Sequence, residues 1–121
     1  MLKRLLVSAA FLMAATPAFA AQLQVLEFAG EAIVQQGART NIPPMPPLVE
    51  QTPVDFTAGA TSSAAFNAQT KFVILRCDVQ CSVKFGAPAQ TATTNNIKLQ
   101  ALVHYRLGAT PGHVVSVIAS P

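Results

Sequence analysis

Two cysteines, Cys77 and Cys81, are the side chains of this sequence whose type and spacing first point to chemistry. They are the only cysteines in the 121 residues, and three residues separate them. The flanking segments 70–77 and 81–86 have the pattern of strands, so we predict a β-hairpin that reverses at residues 78–80. At the neck of a hairpin two Cβ atoms lie close enough for a disulfide bond. Such a bond would hold the register of the hairpin and, because it closes a short loop, would stabilise modestly.

A metal site and a redox site are the alternatives for this cysteine pair. Structural zinc sites need four ligands, and the sequence offers no further cysteine and only two distant histidines. A thioredoxin-like site needs the spacing C-x-x-C at the start of a helix, whereas this spacing is C-x3-C. We therefore predict a structural disulfide, with no metal site and no cofactor.

The histidines and serines of the chain do not form a recognisable pair of nucleophile and base. His104 lies beside Tyr105, and His113 follows a turn at the start of the last predicted strand. Ser62 and Ser63 are the nearest candidates for a nucleophile, but they lack the glycines of a G-x-S-x-G turn. The five carboxylates are scattered, and no phosphate-binding or calcium-binding loop occurs. We predict no catalytic residues and a protein that is not an enzyme.

The first twenty residues have the organisation of a secretory signal peptide. Lys3 and Arg4 form a positive start, residues 5–15 are apolar, and small residues precede a cleavage site between Ala20 and Ala21. The alternative is a membrane anchor, but the apolar stretch is shorter than the ~20 residues that cross a bilayer. We predict export to the periplasm or the cell exterior, with membrane contact only through the leader, into a compartment where disulfides form.

Removal of the leader also changes the charge of the chain. The whole sequence has a formal net charge of +3. Without residues 1–20, six scattered cationic side chains remain with five acidic ones, which leaves a net charge of +1. Nucleic-acid binding needs clustered cations, so we predict no nucleic-acid partner. The hydrophobic content of 51% is also unlike that of a disordered chain.

Short apolar stretches separated by Gly, Pro, Asn and Ser predict an all-β chain. Their spacing is typical of a small antiparallel β-sandwich of about eight strands, which we predict to be jelly-roll-like. Residues 57–63 are predicted to form a turn and residues 87–96 a loop or edge. For the first strand a helix is the alternative, since Ala, Gln and Glu favour one. The predicted strands are residues 22–28, 32–35, 54–57, 64–67, 70–77, 81–86, 97–102 and 103–107, which are either two strands or one kinked strand, and 113–120.

A proline-rich segment lies between the first strands and the rest of the chain. Residues 43–53 contain five prolines, which lack N–H donors and predict an extended backbone without a central strand or helix. The segment is either a stiff linker, which we favour, a ligand for an aromatic groove, or an arm that reaches a neighbouring subunit. The predicted organisation is a leader at 1–20, N-terminal strands and a proline-rich arm or linker at 21–53, and a β-sandwich core at 54–121.

Residues 61–120, about half of the chain, resemble a group of short proteins found among bacteriophage structural genes and their prophage remnants. The resemblance implies a virion-associated β-sandwich with a structural or binding role, no enzymatic activity and no established functional residues. Members usually lack a signal peptide, and this chain departs from them there. The residues that carry the resemblance are Ala65-Phe66, Asp78, Phe85-Gly86, Pro88, Ala92-Thr93 and Pro111-Gly112.

Two functional hypotheses follow from these observations. The first is a non-enzymatic structural protein that assembles with itself or with a larger particle through complementary surfaces. The second is an exported carbohydrate-binding or surface-binding module whose ligand contacts loops 86–96 and 108–112. Aromatic residues are few, so a sugar-stacking platform in the second hypothesis would depend chiefly on Tyr105.

Overall fold

The computed structural model describes residues 20–32 and 42–121, and within these ranges the chain is all-β, with nine strands and no helix. This confirms the all-β prediction. The strands are β1 (Gln22–Phe28), β2 (Val49–Glu50), β3 (Val54–Asp55), β4 (Thr61–Ser62), β5 (Phe72–Cys77), β6 (Cys81–Gly86), β7 (Ile97–Leu99), β8 (Tyr105–Gly108) and β9 (Val114–Ala119).

The strands form two antiparallel sheets. In the first sheet the order is β2-β1-β5-β8, and β3 also pairs with β1. The second sheet has the order β4-β9-β6-β7. The longest ladders join β1 to β5 and β6 to β9, with six residue pairs in each. These four strands are therefore the centre of the fold, and β1 belongs to it although the proline-rich segment separates it from the other three.

The two sheets share one hydrophobic core, a β-sandwich-like arrangement. Successive side chains of a strand point to opposite faces, so alternate residues of β1, β5, β6 and β9 point inward. Full burial of one aliphatic side chain stabilises the fold by roughly 1.5–3 kcal/mol. The core residues from these strands are Leu23, Val25, Val73, Leu75, Cys77, Cys81, Val83, Val115 and Val117.

A smaller apolar cluster covers the outer face of the first sheet. The Phe28 and Phe72 rings stack with their centroids 5.0 Å apart, and both residues are buried. The guanidinium of Arg106 lies 4.2 Å above the Phe72 ring and pairs with Glu31 at 2.7 Å. The sequence pattern of β5 predicts burial on both faces, and the burial of Phe72 and Val73 confirms it at that end of the strand.

The predicted hairpin between β5 and β6 is wrong. The two strands belong to different sheets, and residues 78–80 carry the chain across the sandwich. Both edges of β5 are already paired, with β1 and β8, and both edges of β6 with β9 and β7. Local turn chemistry predicts the reversal, but the partner of each strand is decided by distant segments.

The segment before β5 also differs from its prediction. Residues 64–67 do not form a strand, whereas β4 lies within the predicted turn at residues 57–63. Phe66 still follows β9, since its N–H donates to the carbonyl of His113 at 2.8 Å, and its ring enters the core. Phe66 is therefore buried in the core although it does not belong to a strand.

Other predicted strands are shorter than expected or lie elsewhere. The stretch 97–107 divides into β7 and β8, which belong to different sheets, and Leu102 between them has a positive φ of 63°. The third predicted strand shrinks to the two residues of β3. Ala32 is not in a strand, and residues 33–35 of the second predicted strand lie outside the described residues, as do residues 1–19 of the predicted leader.

Candidate functional site

Cys77 and Cys81 form a disulfide at one end of the core. Their sulfur atoms lie 2.02 Å apart, their Cα atoms 6.4 Å apart, and both residues are fully buried. Because Cys77 ends β5 and Cys81 begins β6, the bond joins the two sheets instead of holding a hairpin register. The backbone carbonyl of Cys77 also accepts a hydrogen bond from the N–H of Leu102 at 2.8 Å. This end of the sandwich is thus fixed by covalent and backbone contacts together.

Within the described residues, the structure does not show the histidines and serines as a pair of nucleophile and base; the hydroxyls of Ser62 and Ser63 bond to the backbone. His104 is exposed, and His113 takes part through its backbone in the turn before β9. The hydroxyl of Ser62 donates to the carbonyl of Gln90 at 3.1 Å, and the hydroxyl of Ser63 accepts from the N–H of Val115 at 3.1 Å. In residues 20–32 and 42–121, no three His, Cys, Asp or Glu side chains are grouped so that they could hold a metal ion.

Tyr105 lies on the inner face of the first sheet. Its ring packs against the hydrophobic core, and its hydroxyl accepts a hydrogen bond from the N–H of Gln100 at 3.0 Å. A ring in this position holds the chain between β7 and β8, and it is half-buried, so only part of it could contact a sugar.

A buried carboxylate, Glu27, is the polar centre that the sequence analysis missed. Glu27 is 1% exposed and points inward from β1. Its Oε1 accepts from the Thr70 hydroxyl and from the N–H of Asn67, both at 2.7 Å, and its Oε2 accepts from Nε2 of Gln51 at 2.9 Å. Three donors and no acceptor surround it, which suits an ionised carboxylate, a group that only accepts hydrogen bonds.

These bonds hold the segment between β2 and β5 against β1. The Gln51 amide is itself fixed, since its Oε1 accepts from the N–H of Ala64 at 3.1 Å. The sequence contained a partial signal, because Glu27 continues the inward alternation of Leu23 and Val25. Its partners were not readable, because Gln51 and Thr70 lie 24 and 43 residues further along the chain.

An open cleft of about 490 Å³ lies where the edges of the two sheets meet. The cleft is uncharged except for Asp55 at its rim, and Thr61, Ser62 and Ala64 are exposed along its other side. Such a surface suits an uncharged partner better than an ionic ligand. The lining residues are Val49, Gln51, Thr52, Pro53, Val54, Asp55, Thr61, Ser62 and Ala64.

The end of the proline-rich segment leads directly into this cleft. Residues 42–48 contain no charged side chain, and Ile42 and Met45 are 64% and 73% exposed. The N–H of Leu48 donates to the carbonyl of Glu27 at 2.8 Å, and the next residue, Val49, lines the cleft. An exposed apolar segment, here called the arm (residues 42–48), therefore lies beside an apolar cleft.

Asp55 has the one pKa that departs clearly from its usual value among the described residues. Hydrogen bonding from the Thr57 side chain and then from the Thr57 N–H, at 2.9 Å from Oδ1, lowers the pKa of this exposed carboxyl. The Thr57 hydroxyl also accepts from the N–H of Ala21 at 2.9 Å. Asp55, Thr57 and Ala21 thus form one small polar group where β3 meets the start of β1.

A second, polar depression lies on the outer face of the first sheet. It has a volume of about 190 Å³ and is lined by Gln22, Gln24, Pro53, Arg76 and Asp78. Arg76 and Asp78 pair at 3.5 Å, and both side chains remain about one third exposed or more. An exposed pair of this kind contributes little to stability, which leaves its groups available to a ligand.

Comparison with known proteins gives no relative: no family model, no curated protein and no solved structure matches this chain. No helix in the described residues is long and apolar enough to cross a membrane.

Proposed function

We propose that the mature chain is a non-enzymatic, exported interaction protein, a small jelly-roll-like sandwich that assembles with copies of itself or with a larger particle. The leader at residues 1–20 directs export and is removed before Ala21. The observation that carries the proposal is the cleft between the sheet edges, whose one charged lining residue is Asp55, with the exposed arm beside it. A phage-virion-like role is the form of this function that the sequence resemblance implies.

The chemistry of the cleft and the arm supports association through side-chain burial. Burial of exposed apolar side chains against a partner is favourable. Ile42 and Met45 expose such side chains, and the prolines beside them limit the entropy that the arm loses on docking. Complementary shape is then the only mechanism that the function requires.

The edges of the sheets support the same form of association. β2, β3 and β4 have two residues each, and Pro53 between β2 and β3 has no N–H to offer. Short strands and proline prevent an edge from extending its sheet into a neighbouring molecule. A partner at this edge therefore meets side chains of the cleft instead of a free backbone ladder.

Light scattering coupled to size exclusion on residues 21–121 tests the proposal. We expect a mass above that of one chain, or co-elution with a particle from the source. Ala64→Lys places a charge at the cleft and is expected to weaken association at least tenfold, since an unpaired charge is costly to desolvate. Ala68→Lys adds the same charge at an exposed turn outside the cleft and is the matched control. A strict monomer that binds no particle would overturn the proposal.

A carbohydrate-binding or surface-binding module is the second candidate, and one observation favours it. The depression formed by Gln22, Gln24, Arg76 and Asp78 offers amide and charged groups that can hydrogen-bond to sugar hydroxyls. It replaces Tyr105 and the predicted loops as the place where such a ligand would bind.

A glycan array separates the two candidates. Binding that is lost on Arg76→Ala and kept on Ala64→Lys would favour the carbohydrate module. An array without binding, together with association that depends on the cleft, would leave the interaction protein.

A further inference from the structure

Ala21 is the first buried residue in the part of the chain that the structure describes. Ala20 is exposed, whereas Ala21 is 8% exposed. The carbonyl of Ala21 accepts from the N–H of Phe56 at 3.0 Å, and its own N–H donates to the Thr57 hydroxyl at 2.9 Å. The nitrogen of Ala21 is therefore held at a defined position, beside a residue whose backbone N–H binds the Asp55 carboxylate.

We infer that Thr57 and Asp55 form a docking site for the α-ammonium group that signal-peptide cleavage creates at Ala21. The inference rests on the export and cleavage that form part of the proposed function. Hydrolysis of the Ala20–Ala21 peptide bond adds the hydroxyl of water to the carbonyl of Ala20 and the hydrogen to the nitrogen of Ala21. The resulting amine has an ordinary pKa of about 7.7–8.0 and takes a further proton at neutral pH.

The site fits an ammonium better than the amide N–H of an uncleaved chain. An ammonium keeps the bond to the Thr57 hydroxyl and gains two further N–H donors, and the Asp55 carboxylate is bonded to the N–H of the same Thr57. Hydrogen bonds with an ionised partner are roughly twice as strong as neutral ones. Cleavage would thus place a positive charge on the Ala21 nitrogen, next to the residue that binds the Asp55 carboxylate.

NMR titration of the α-amino group tests the docking site. Residues 21–121 are released from a fusion that leaves Ala21 first, and compared with a chain that begins at Ala20. We expect the α-amino pKa of the Ala21 chain to exceed that of the Ala20 chain by roughly half a unit to one unit. Thr57→Val should abolish the difference and Thr57→Ser should keep it, because only serine retains the hydroxyl. Asp55→Asn should reduce it.

The outcomes separate this inference from the function it rests on. An α-amino pKa that is equal in the Ala21 chain and its Thr57→Val variant overturns the docking site, whatever the protein binds. If Thr57→Val does not fold, equal values in the Ala21 and Ala20 chains overturn it as well. Intact-mass measurement of the exported protein tests cleavage itself: a retained leader or another first residue overturns the export part of the proposed function.

Discussion

At the scale of single residues, Glu27 contributes most to the organisation of the cleft. It is the buried group to which Gln51 and Thr70 are both bonded, and Gln51 also lines the cleft. Without these bonds, the buried side chains of Gln51 and Thr70 would lose their acceptor, which is costly because water has little access to them. The cleft therefore depends on a carboxylate that does not line it.

We expect Glu27→Gln to lower the free energy of unfolding by roughly 2 kcal/mol. The new amide would direct an NH2 group at Nε2 of Gln51, and Gln51 cannot turn without losing its bond from the N–H of Ala64. Urea unfolding measures the change. Glu50→Gln on neighbouring β2 removes the same charge from an exposed side chain and should change stability by less than about 0.5 kcal/mol. Equal effects of the two substitutions would contradict this role of Glu27.

Asp55 is expected to make stability fall with acid. The Thr57 side chain and N–H lower its pKa in the folded state from 3.8, so the unfolded chain binds a proton first as the pH falls. Its contribution is therefore fully present above the unfolded value and is lost below pH 3.8, as the pH passes through the lower folded value. The difference in unfolding free energy between the protein and Asp55→Asn, followed across this range, should shrink towards acid. A constant difference would show that the carboxylate is not stabilised.

At the scale of elements, the disulfide links the two sheets covalently. It joins the end of β5 to the start of β6 around the three-residue crossing, and both cysteines are buried. The chain-entropy model gives a stabilisation of about 2 kcal/mol for a disulfide that closes a loop of this length. Without the disulfide, the crossing at residues 78–80 would be held by backbone contacts.

We expect Cys77→Ala/Cys81→Ala to lower the free energy of unfolding by about 2 kcal/mol, plus a packing loss from the missing sulfur atoms. The variant should therefore unfold at a lower denaturant concentration. Reduction provides the control, since a thiol reductant should destabilise the natural chain and leave the double variant unchanged. If the reductant affects neither, the bond does not form in solution.

Ser116 helps to fix the loop at residues 87–96 to the outer face of the second sheet, together with the bond from Ser62 to Gln90. Ser116 on β9 accepts a hydrogen bond from the N–H of Ala92 at 2.9 Å, and both residues are buried. Ser82 on β6 is also fully buried, but its hydroxyl has no partner within the described residues. Ser116 and Ser82 are thus both buried in the second sheet, but only the Ser116 hydroxyl has a hydrogen-bond partner within the described residues.

Ser116→Ala is expected to cost about 1–3 kcal/mol, because it leaves the Ala92 N–H buried without an acceptor. Ser82→Ala is expected to be neutral or stabilising, because it removes a polar atom that burial penalises. Thermal unfolding of both variants measures the contrast. Equal destabilisation would contradict this contrast between a bonded and an unbonded hydroxyl.

The strands also show which features of the fold can be predicted from the sequence and which cannot. Alternation predicted β1 and the apolar runs of β5, β6 and β9, because burial on a pleated strand depends on nearest neighbours in sequence. It did not predict that β5 and β6 belong to different sheets, since that is decided by pairing with β1 and β9, far away along the chain. The two-residue strands β2, β3 and β4, which border the cleft, are too short to have a periodic pattern.

At the scale of the whole molecule, the sequence of the predicted leader (residues 1–20) differs in charge and hydropathy from that of the remainder. Two of the eight cationic side chains and the longest apolar stretch belong to residues 1–20. The remainder has a net charge near zero and exposes apolar groups at the arm and the cleft. Long-range attraction to a charged partner is therefore weak, and the proposed association would come from contact.

This balance of charge predicts that association is insensitive to salt. Raising ionic strength from about 0.01 M to about 1 M shortens the screening length from roughly 30 Å to 3 Å, which removes attraction between exposed charges and leaves apolar burial intact. We expect the sedimentation-derived mass of residues 21–121 to stay constant or rise over this range. The defect of Ala64→Lys should persist in high salt, since the cost of desolvating the ammonium is not screened away. Dissociation of the natural chain at high salt would instead place the contact on charged groups such as Arg76 and Asp78, outside the cleft and the arm.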